Sequence, residues 1–244
     1  MSPSNRIAVV TGGSRGIGRE AALRLAADDC SVAIVYLADR EEADAVAAGV
    51  REAGGRALAV RADVADEAGV DAAFSDVEET FGGVDVVVNA AGIMPLSPIA
   101  TLDLEVLDRI YRTNIRGTFV VSQQAARRVR DGGAIINFSS SVTRLQIPGY
   151  GAYAASKGAV EAMTLILARE LRGRDVTVNT IAPGPTATAL FLDGKDQATI
   201  DRIAAQPPLG RLGTPGDIAE AVSFIAGPGR WVNGQILYVN GGIA

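Results

Sequence analysis

Seven short apolar runs, rich in valine and isoleucine, recur along this 244-residue chain, at 6–10, 31–37, 56–62, 84–90, 134–139, 176–182 and 235–239. Most are apolar at consecutive rather than alternate positions, as expected of strands buried on both faces of a parallel sheet. The stretches between them, 16–27, 40–53, 66–81, 102–130, 150–172 and 215–226, carry Ala, Leu, Glu and Arg in amphipathic helical order. Asp103 stands where it would cap the fourth, and Gly173 where it would end the fifth. Strict alternation of this kind predicts βαβ units with right-handed crossovers, hence an α/β fold with a doubly wound parallel sheet of about seven strands covered on both faces. At roughly 150 residues per domain the length allows one or two. No composition break divides residues 1–244, so they read as one domain. Residues 183–213 interrupt the pattern with Pro183, Pro185, Pro207, Pro208 and several glycines around a short helical patch. An insertion of this length is expected to form a lid over a site, at about 185–212.

The chain contains no histidine, which excludes imidazole bases, Ser-His-Asp triads and HExxH zinc sites. Its single cysteine, Cys30, excludes an intrachain disulfide and a cysteine-rich zinc cluster, so no metal site is expected. Chemistry is left to Tyr, Lys, Ser, carboxylates or a bound cofactor. A net charge of −5 argues against nucleic-acid binding. No window approaches the ~18 uninterrupted apolar residues of a membrane span, and residues 1–6 lack the apolar segment of a secretory signal. One cysteine suits a reducing compartment, so a cytoplasmic protein is expected.

The first apolar run leads straight into Thr11-Gly-Gly-Ser-Arg-Gly-Ile-Gly18, which opens the first helical stretch. Glycines at 12, 16 and 18 let the backbone approach a pyrophosphate, and the helix N-terminus stabilises its charge. An acid at the tip of the second strand would bind a ribose 2′-hydroxyl. Tyr36 and Leu37 stand there instead, while Arg15 and Arg40 offer charge to a 2′-phosphate. NADP(H) is therefore favoured over NAD(H). Asp39 weighs against that preference, and Arg40 is also what a solvated helix start carries.

Tyr153 and Lys157 lie four residues apart at the start of a strong helical pattern, on one face of the helix. A free phenol, with a pKa of about 10, is a poor base at neutral pH. A neighbouring ammonium favours phenolate, so Lys157 is expected to lower the pKa of Tyr153.

Together with these residues, four further motifs make the chain resemble the short-chain dehydrogenase/reductase family over essentially its whole length. The glycine loop matches TGxxxGxG, and Asn89-Ala-Ala-Gly92 matches NNAG with Ala90 in place of the second Asn. Asn114 matches the helical active-site Asn, Ser139-Ser-Ser141 precedes Tyr153 at the family interval, and Pro183-Gly184 with Thr188 matches the nicotinamide-contacting segment. The resemblance implies a Rossmann-like fold and a hydride-transferring enzyme. Tyr153 would exchange the proton of the carbonyl or alcohol, Lys157 would tune it and bind the nicotinamide ribose, and Asn114 would hold the proton-resupply path. The family's serine lies thirteen residues before the tyrosine, which selects Ser140. Ser139 and Ser141 point the other way along the strand and are expected to bond backbone.

The implied coenzyme contacts are Gly12, Ser14, Arg15, Gly16, Ile17, Gly18, Tyr36, Arg40, Asp63, Val64, Asn89, Ala91, Gly92, Tyr153, Lys157, Pro183, Gly184, Thr186 and Thr188. Asp63 reads equally as a helix cap. Thr186 stands where the family often has an aliphatic residue, and Asn240-Gly-Gly242 where it has Asp-Gly-Gly. Ser140, Gln146, Tyr150 and Tyr153 would meet the substrate. Ile147 and Pro148, with Leu190, Phe191, Leu192, Ile200 and Ile203 of the lid, give the pocket an apolar side. The expected substrate is a small-molecule carbonyl compound, medium-sized and partly apolar, or its alcohol, and the resemblance implies a homotetramer or homodimer. A 3-oxoacyl-carrier-protein reductase is the alternative, with Arg127, Arg128, Arg130 and Arg174 as candidate docking residues for an acidic carrier. A non-catalytic nucleotide sensor on the same fold is a third reading, and the complete Asn114–Ser140–Tyr153–Lys157 set argues against it.

Overall fold

The computed structural model describes residues 6–244. Residues 1–5, most of the segment read above for a secretory signal, lie outside it. The described residues form a seven-stranded, wholly parallel sheet from β1 (Ile7–Thr11), β2 (Ser31–Tyr36), β3 (Ala57–Arg61), β4 (Val84–Asn89), β5 (Val129–Phe138), β6 (Thr177–Pro183) and β7 (Ile236–Val239). The strand order is β3-β2-β1-β4-β5-β6-β7. The direction of winding reverses between β1 and β4, so a crevice opens above their carboxyl ends, where doubly wound sheets bind ligands. Every residue of β1, β2, β4 and β6 is buried, which explains their uninterrupted apolar character.

On one face lie α1 (Gly16–Ala27), α2 (Arg40–Glu52) and α10 (Pro215–Ala226), which bury Ala22, Leu25, Val46, Ile218, Val222 and Ile225 against the sheet. The other face carries α3 (Glu67–Phe81), α5 (Gly117–Arg128) and α7 (Gly151–Glu170), with Phe74, Val77, Val121 and Leu167 inward. No described helix is long and apolar enough to cross a membrane, and the described residues hold no cluster suited to a metal ion.

Two expectations require correction. The stretch 102–130 is not one helix. Asp103 caps a short α4 (Leu104–Ile110) by accepting the Glu105 N–H, as read from the sequence. A π-helical turn, Tyr111–Arg116, then widens the helix before α5 begins. At the far end Val129 and Arg130 belong to β5, five residues earlier than expected, because Arg130 forks onto Asp85 at 2.8 and 2.5 Å. The same carboxylate accepts the Ile7 N–H at 2.7 Å, tying the β4–β5 edge to β1. A short α6 (Val142–Leu145) follows β5, and the lid segment holds two helices, α8 (Ala189–Leu192) and α9 (Gln197–Ala204). Its neck is pinned by the Ala187 N–H donating to Gly213 O (2.8 Å) and the Gly213 N–H to Pro185 O (2.9 Å).

Phe74 is 1% exposed in the middle of its layer. Phe74→Ala is expected to lower unfolding free energy in urea by about 3–5 kcal/mol through lost burial and the cavity left behind. An unchanged midpoint would show that this layer does not hold the fold together.

Candidate active site

The glycine loop turns at the switch point between the end of β1 and the start of α1. Gly12 has φ +65°, and a Cβ there would stand 2.9 Å from Ala91 Cα. A Cβ at Gly18 would lie 2.2 Å from Gly12 O. The loop is therefore packed backbone to backbone at the N-terminus of α1, whose first amides have no intrahelical acceptors, a cradle suited to a pyrophosphate. Thr11, which sequence reasoning missed, organises its floor. Its hydroxyl donates to Asn89 Oδ1 (3.1 Å) and accepts the Ala91 N–H (3.3 Å), while Asn89 Nδ2 donates to Thr118 O (3.3 Å). Asn89 thus acts by joining β1, β4 and α5. A polar residue closing an otherwise apolar run was the available signal for Thr11.

At the tip of β2, Tyr36 is buried and Leu37 exposed. Arg15 pairs with Asp39 at 3.4 Å and Arg40 with Asp44 at 3.3 Å, all at the surface. Arg61, also missed, donates from Nε to Leu37 O (3.0 Å) and fixes the turn. Asp63 does not cap α3, whose N-cap is Asp66. Its two oxygens accept the Ala65 N–H (2.9 Å) and Arg112 (2.8 Å). Burial pushes its carboxyl upward, but these two partners outweigh that and hold it below the usual carboxylate range. Val64 turns its side chain into the core.

Four predicted catalytic residues converge beside this cradle. Lys157 Nζ lies 5.6 Å from the Tyr153 ring centroid and donates to Phe138 O at 2.8 Å. The Ser140 hydroxyl lies near enough to the Tyr153 phenol to lower its pKa, and Tyr150 packs edge-on against the same ring, centroids 6.5 Å apart. Asn114, fully buried in the π-helical turn, clamps Ile93 from both sides: Oδ1 accepts its N–H and Nδ2 donates to its carbonyl, each at 2.9 Å. Nδ2 also reaches Ser156 Oγ (3.1 Å), which donates to Tyr153 O (2.7 Å). Ser156 lies inside the Tyr153–Lys157 interval and was overlooked there. A Cβ at Gly92 would come within 3.3 Å of Asn114 Oδ1 and 3.7 Å of Lys157 Nζ, so the segment after β4 passes directly over the pair.

The expected electrostatics are reversed. Burial pushes the Tyr153 phenol up to about 12, against the nearby Ser140 hydroxyl, which lowers it. Burial likewise brings Lys157 down to about 8. Both groups are driven toward their neutral forms, and the ammonium does not produce a phenolate here. Among the described residues Lys157 has one hydrogen-bond acceptor for three donors. The two remaining donors suit hydroxyl acceptors such as those of a ribose.

Ser141 bonds backbone as expected, donating to Ala182 O at 3.3 Å. Ser139 departs from that expectation: its main acceptor is the Glu161 carboxylate at 2.6 Å, with Lys157 O more distant at 3.5 Å. Thr186 is buried and donates to Gly184 O (3.0 Å). Thr188 caps α8, and its methyl would touch a Cβ at Gly16 at 3.5 Å, so the lid starts against the glycine loop. Gln146 is exposed, in a left-handed turn at φ +51°. Phe191, Leu192, Ile200 and Ile203 form the lid's half-buried side, while Leu190 is exposed. Three of the four candidate carrier-docking arginines are engaged elsewhere. Arg128 pairs with Asp71 and Glu78, Arg130 with Asp85, and Arg174 with Asp131 and two backbone carbonyls; Arg127 is exposed.

A family model described as enoyl-(acyl carrier protein) reductase matches residues 12–244. A short-chain type dehydrogenase/reductase of Picea abies is 44% identical, over 97% of this chain and 92% of its own. An NADPH-dependent aldehyde reductase-like protein, chloroplastic, of Arabidopsis thaliana is 43% identical, over 98% and 94%. A short chain dehydrogenase of Burkholderia cenocepacia, solved in complex with NADP, superposes with TM-score 0.92 at 41% identity, covering 98% of each chain. The chain belongs to the short-chain dehydrogenase/reductase family. Membership makes it an oxidoreductase and accounts for the glycine cradle beside a Ser–Tyr–Lys cluster.

Gly18→Ala is expected to weaken NADPH binding, followed by nucleotide fluorescence, at least about tenfold, equivalent to ~1.4 kcal/mol. Parent-like affinity would show that the contact between Gly18 and Gly12 O does not shape the cradle.

Proposed function

We propose that this chain is an NADP(H)-dependent reductase that converts ketone or aldehyde carbonyls of small molecules to alcohols, reversibly. The observation that carries this reading is the buried Tyr153 phenol, set with Lys157 Nζ 5.6 Å from its ring centroid and with Ser140 nearby, beside the glycine cradle. With its pKa pushed up to about 12 the phenol is protonated at neutral pH, the form that the reducing direction needs. The coenzyme, when bound, supplies the hydride. Tyr153 donates its proton to the carbonyl oxygen, and Ser140 orients that oxygen by hydrogen bonding. Lys157, cationic below about pH 8, stabilises the phenolate that proton transfer leaves behind. Its remaining donors hold the ribose hydroxyls. Asn114 and Ser156 anchor the backbone of Tyr153 and line the path for proton resupply.

Preference for NADP(H) is supported by Arg15 and Arg40. Each is paired with a single exposed carboxylate, a contact worth only about 0–1 kcal/mol. A 2′-phosphate, doubly charged and able to take bidentate bonds, competes successfully for both. The NADPH-dependent Arabidopsis relative and the NADP-bound Burkholderia structure support the same choice. Phe119 on α5 and Ile166 on α7 are 52% and 58% exposed, and these outward apolar side chains support assembly into a homodimer or homotetramer.

A panel of aldehydes, ketones and alcohols followed by NADPH and NADH absorbance tests the reading. Tyr153→Phe is expected to lower kcat for every responsive carbonyl by about 10²–10⁴-fold, the usual share of a general acid, with NADPH affinity preserved. An unchanged kcat would overturn the mechanism. Arg40→Asp is expected to weaken NADPH much more than NADH; equal losses would remove Arg40 as discriminator.

A further inference from the structure

Tyr153, Lys157 and Glu161 follow one another at four-residue spacing, so all three lie on one stripe of α7. The stripe grips the end of β5 at successive heights. Tyr153 lies near Ser140, whose hydroxyl lowers its pKa, and Lys157 donates to Phe138 O at 2.8 Å. Glu161 Oε1 accepts the Ser139 hydroxyl at 2.6 Å and lies 3.1 Å from Thr143 Oγ1. Thr143 Oγ1 in turn lies 3.0 Å from Ser140 O. One carboxylate oxygen therefore holds the residue before Ser140 and the residue that closes its turn.

We propose that Glu161 is a positioning residue, which sets the Ser140 hydroxyl against Tyr153 by fixing the 139–143 turn from the catalytic helix. The inference rests on the reductase reading above. The amides of Ser139 and Ser141 are held by β6, donating to Ile181 O and Pro183 O. Nothing on that side controls the Ser140 peptide itself. Its carbonyl accepts from the Thr143 N–H (3.2 Å) and lies against the Thr143 hydroxyl. The Ser140 hydroxyl has one local contact, a long 3.4 Å bond from the Val142 N–H. The second clamp on this segment, Lys157 to Phe138 O, belongs to a side chain that also serves the coenzyme. Glu161 carries no such second duty and keeps Ser140 in place through the cycle. The contact needs an acceptor oxygen at this position, which glutamine also offers.

The test is a double-mutant cycle between Glu161 and Ser140, read as kcat for NADPH-linked reduction of the most responsive aldehyde of the panel. Glu161→Ala is expected to lower kcat about tenfold, the scale of one lost hydrogen bond, with NADPH affinity unchanged. Glu161→Gln recovers most of that loss. In a Ser140→Ala background Glu161→Ala adds less than about twofold, because its effect passes through the missing hydroxyl. The same tenfold loss in both backgrounds, or no loss in the first, overturns the proposal. If Ser140→Ala alone leaves kcat intact, the reductase mechanism fails, and the role of Glu161 with it. Should Glu161→Ala fold poorly, Thr143→Val, which removes the second hydroxyl at constant shape, replaces it in the cycle. A loss confined to the Ser140 background then supports the proposal, and an equal loss in both backgrounds, or none, overturns it.

Discussion

Lys157 is an ammonium with 6% exposure, set between a helix and the end of a central strand. Removing such a charge from water is strongly unfavourable unless hydrogen bonds replace the lost hydration. Here Phe138 O provides one at 2.8 Å. That bond fixes where α7 meets β5, and the rest of the site depends on the placement. Tyr153 sits one turn earlier on the same face, over the strand end that bears Ser140. The surroundings that depress Lys157 also raise Tyr153. The site therefore holds a protonated phenol beside a weakly held ammonium, a pair matched to proton donation.

The coenzyme cradle and the catalytic cluster are joined through the reversal between β1 and β4. Thr11 and Asn89 lock the tips of those strands, and Asn89 reaches Thr118 in α5. The Thr118 hydroxyl bonds back to Asn114 O (2.7 Å), and Asn114 holds the chain that leaves β4. Glycine loop, Asn114 and Tyr153 are thus parts of one buried polar network inside a largely apolar fold. Such a network, when satisfied, rigidifies its surroundings, and transfer of a hydride demands that kind of fixed approach.

Much of this was legible in the sequence because it depends on local periodicity. The alternation of apolar runs and helical stretches predicts the sheet and its covering layers, and the four-residue spacing of Tyr153 and Lys157 predicts their shared face. What depends on distant partners was not legible. Arg130 looks like a helix terminus until Asp85, 45 residues away, is seen to pull it into β5. The π-helical turn at 111–116 follows from clamping Asn114 to Ile93 and Ser156, contacts that no periodicity records. The direction of the Tyr153 shift failed for the same reason. Spacing shows that a cation is near, but only the packed structure shows that desolvation dominates it. Glu161 looks like an ordinary polar helix residue until Ser139 and Thr143 fold onto it.

In the proposed mechanism a buried, cationic Lys157 sustains proton donation by a neutral Tyr153, and catalysis hangs on that pairing. The pH dependence of kcat/KM for NADPH, measured with an aldehyde between pH 6 and 10, tests it most directly, because that ratio reports groups of the free enzyme. A chain without histidine has no imidazole to titrate in this range. The sign follows from the lysine: the active form is protonated, so activity is full on the acid side and is lost as pH rises through about 8. A plateau near neutrality that falls through about pH 8 is the predicted result. A profile that stays flat through pH 9, or one that rises with pH as a phenolate base would require, would contradict it.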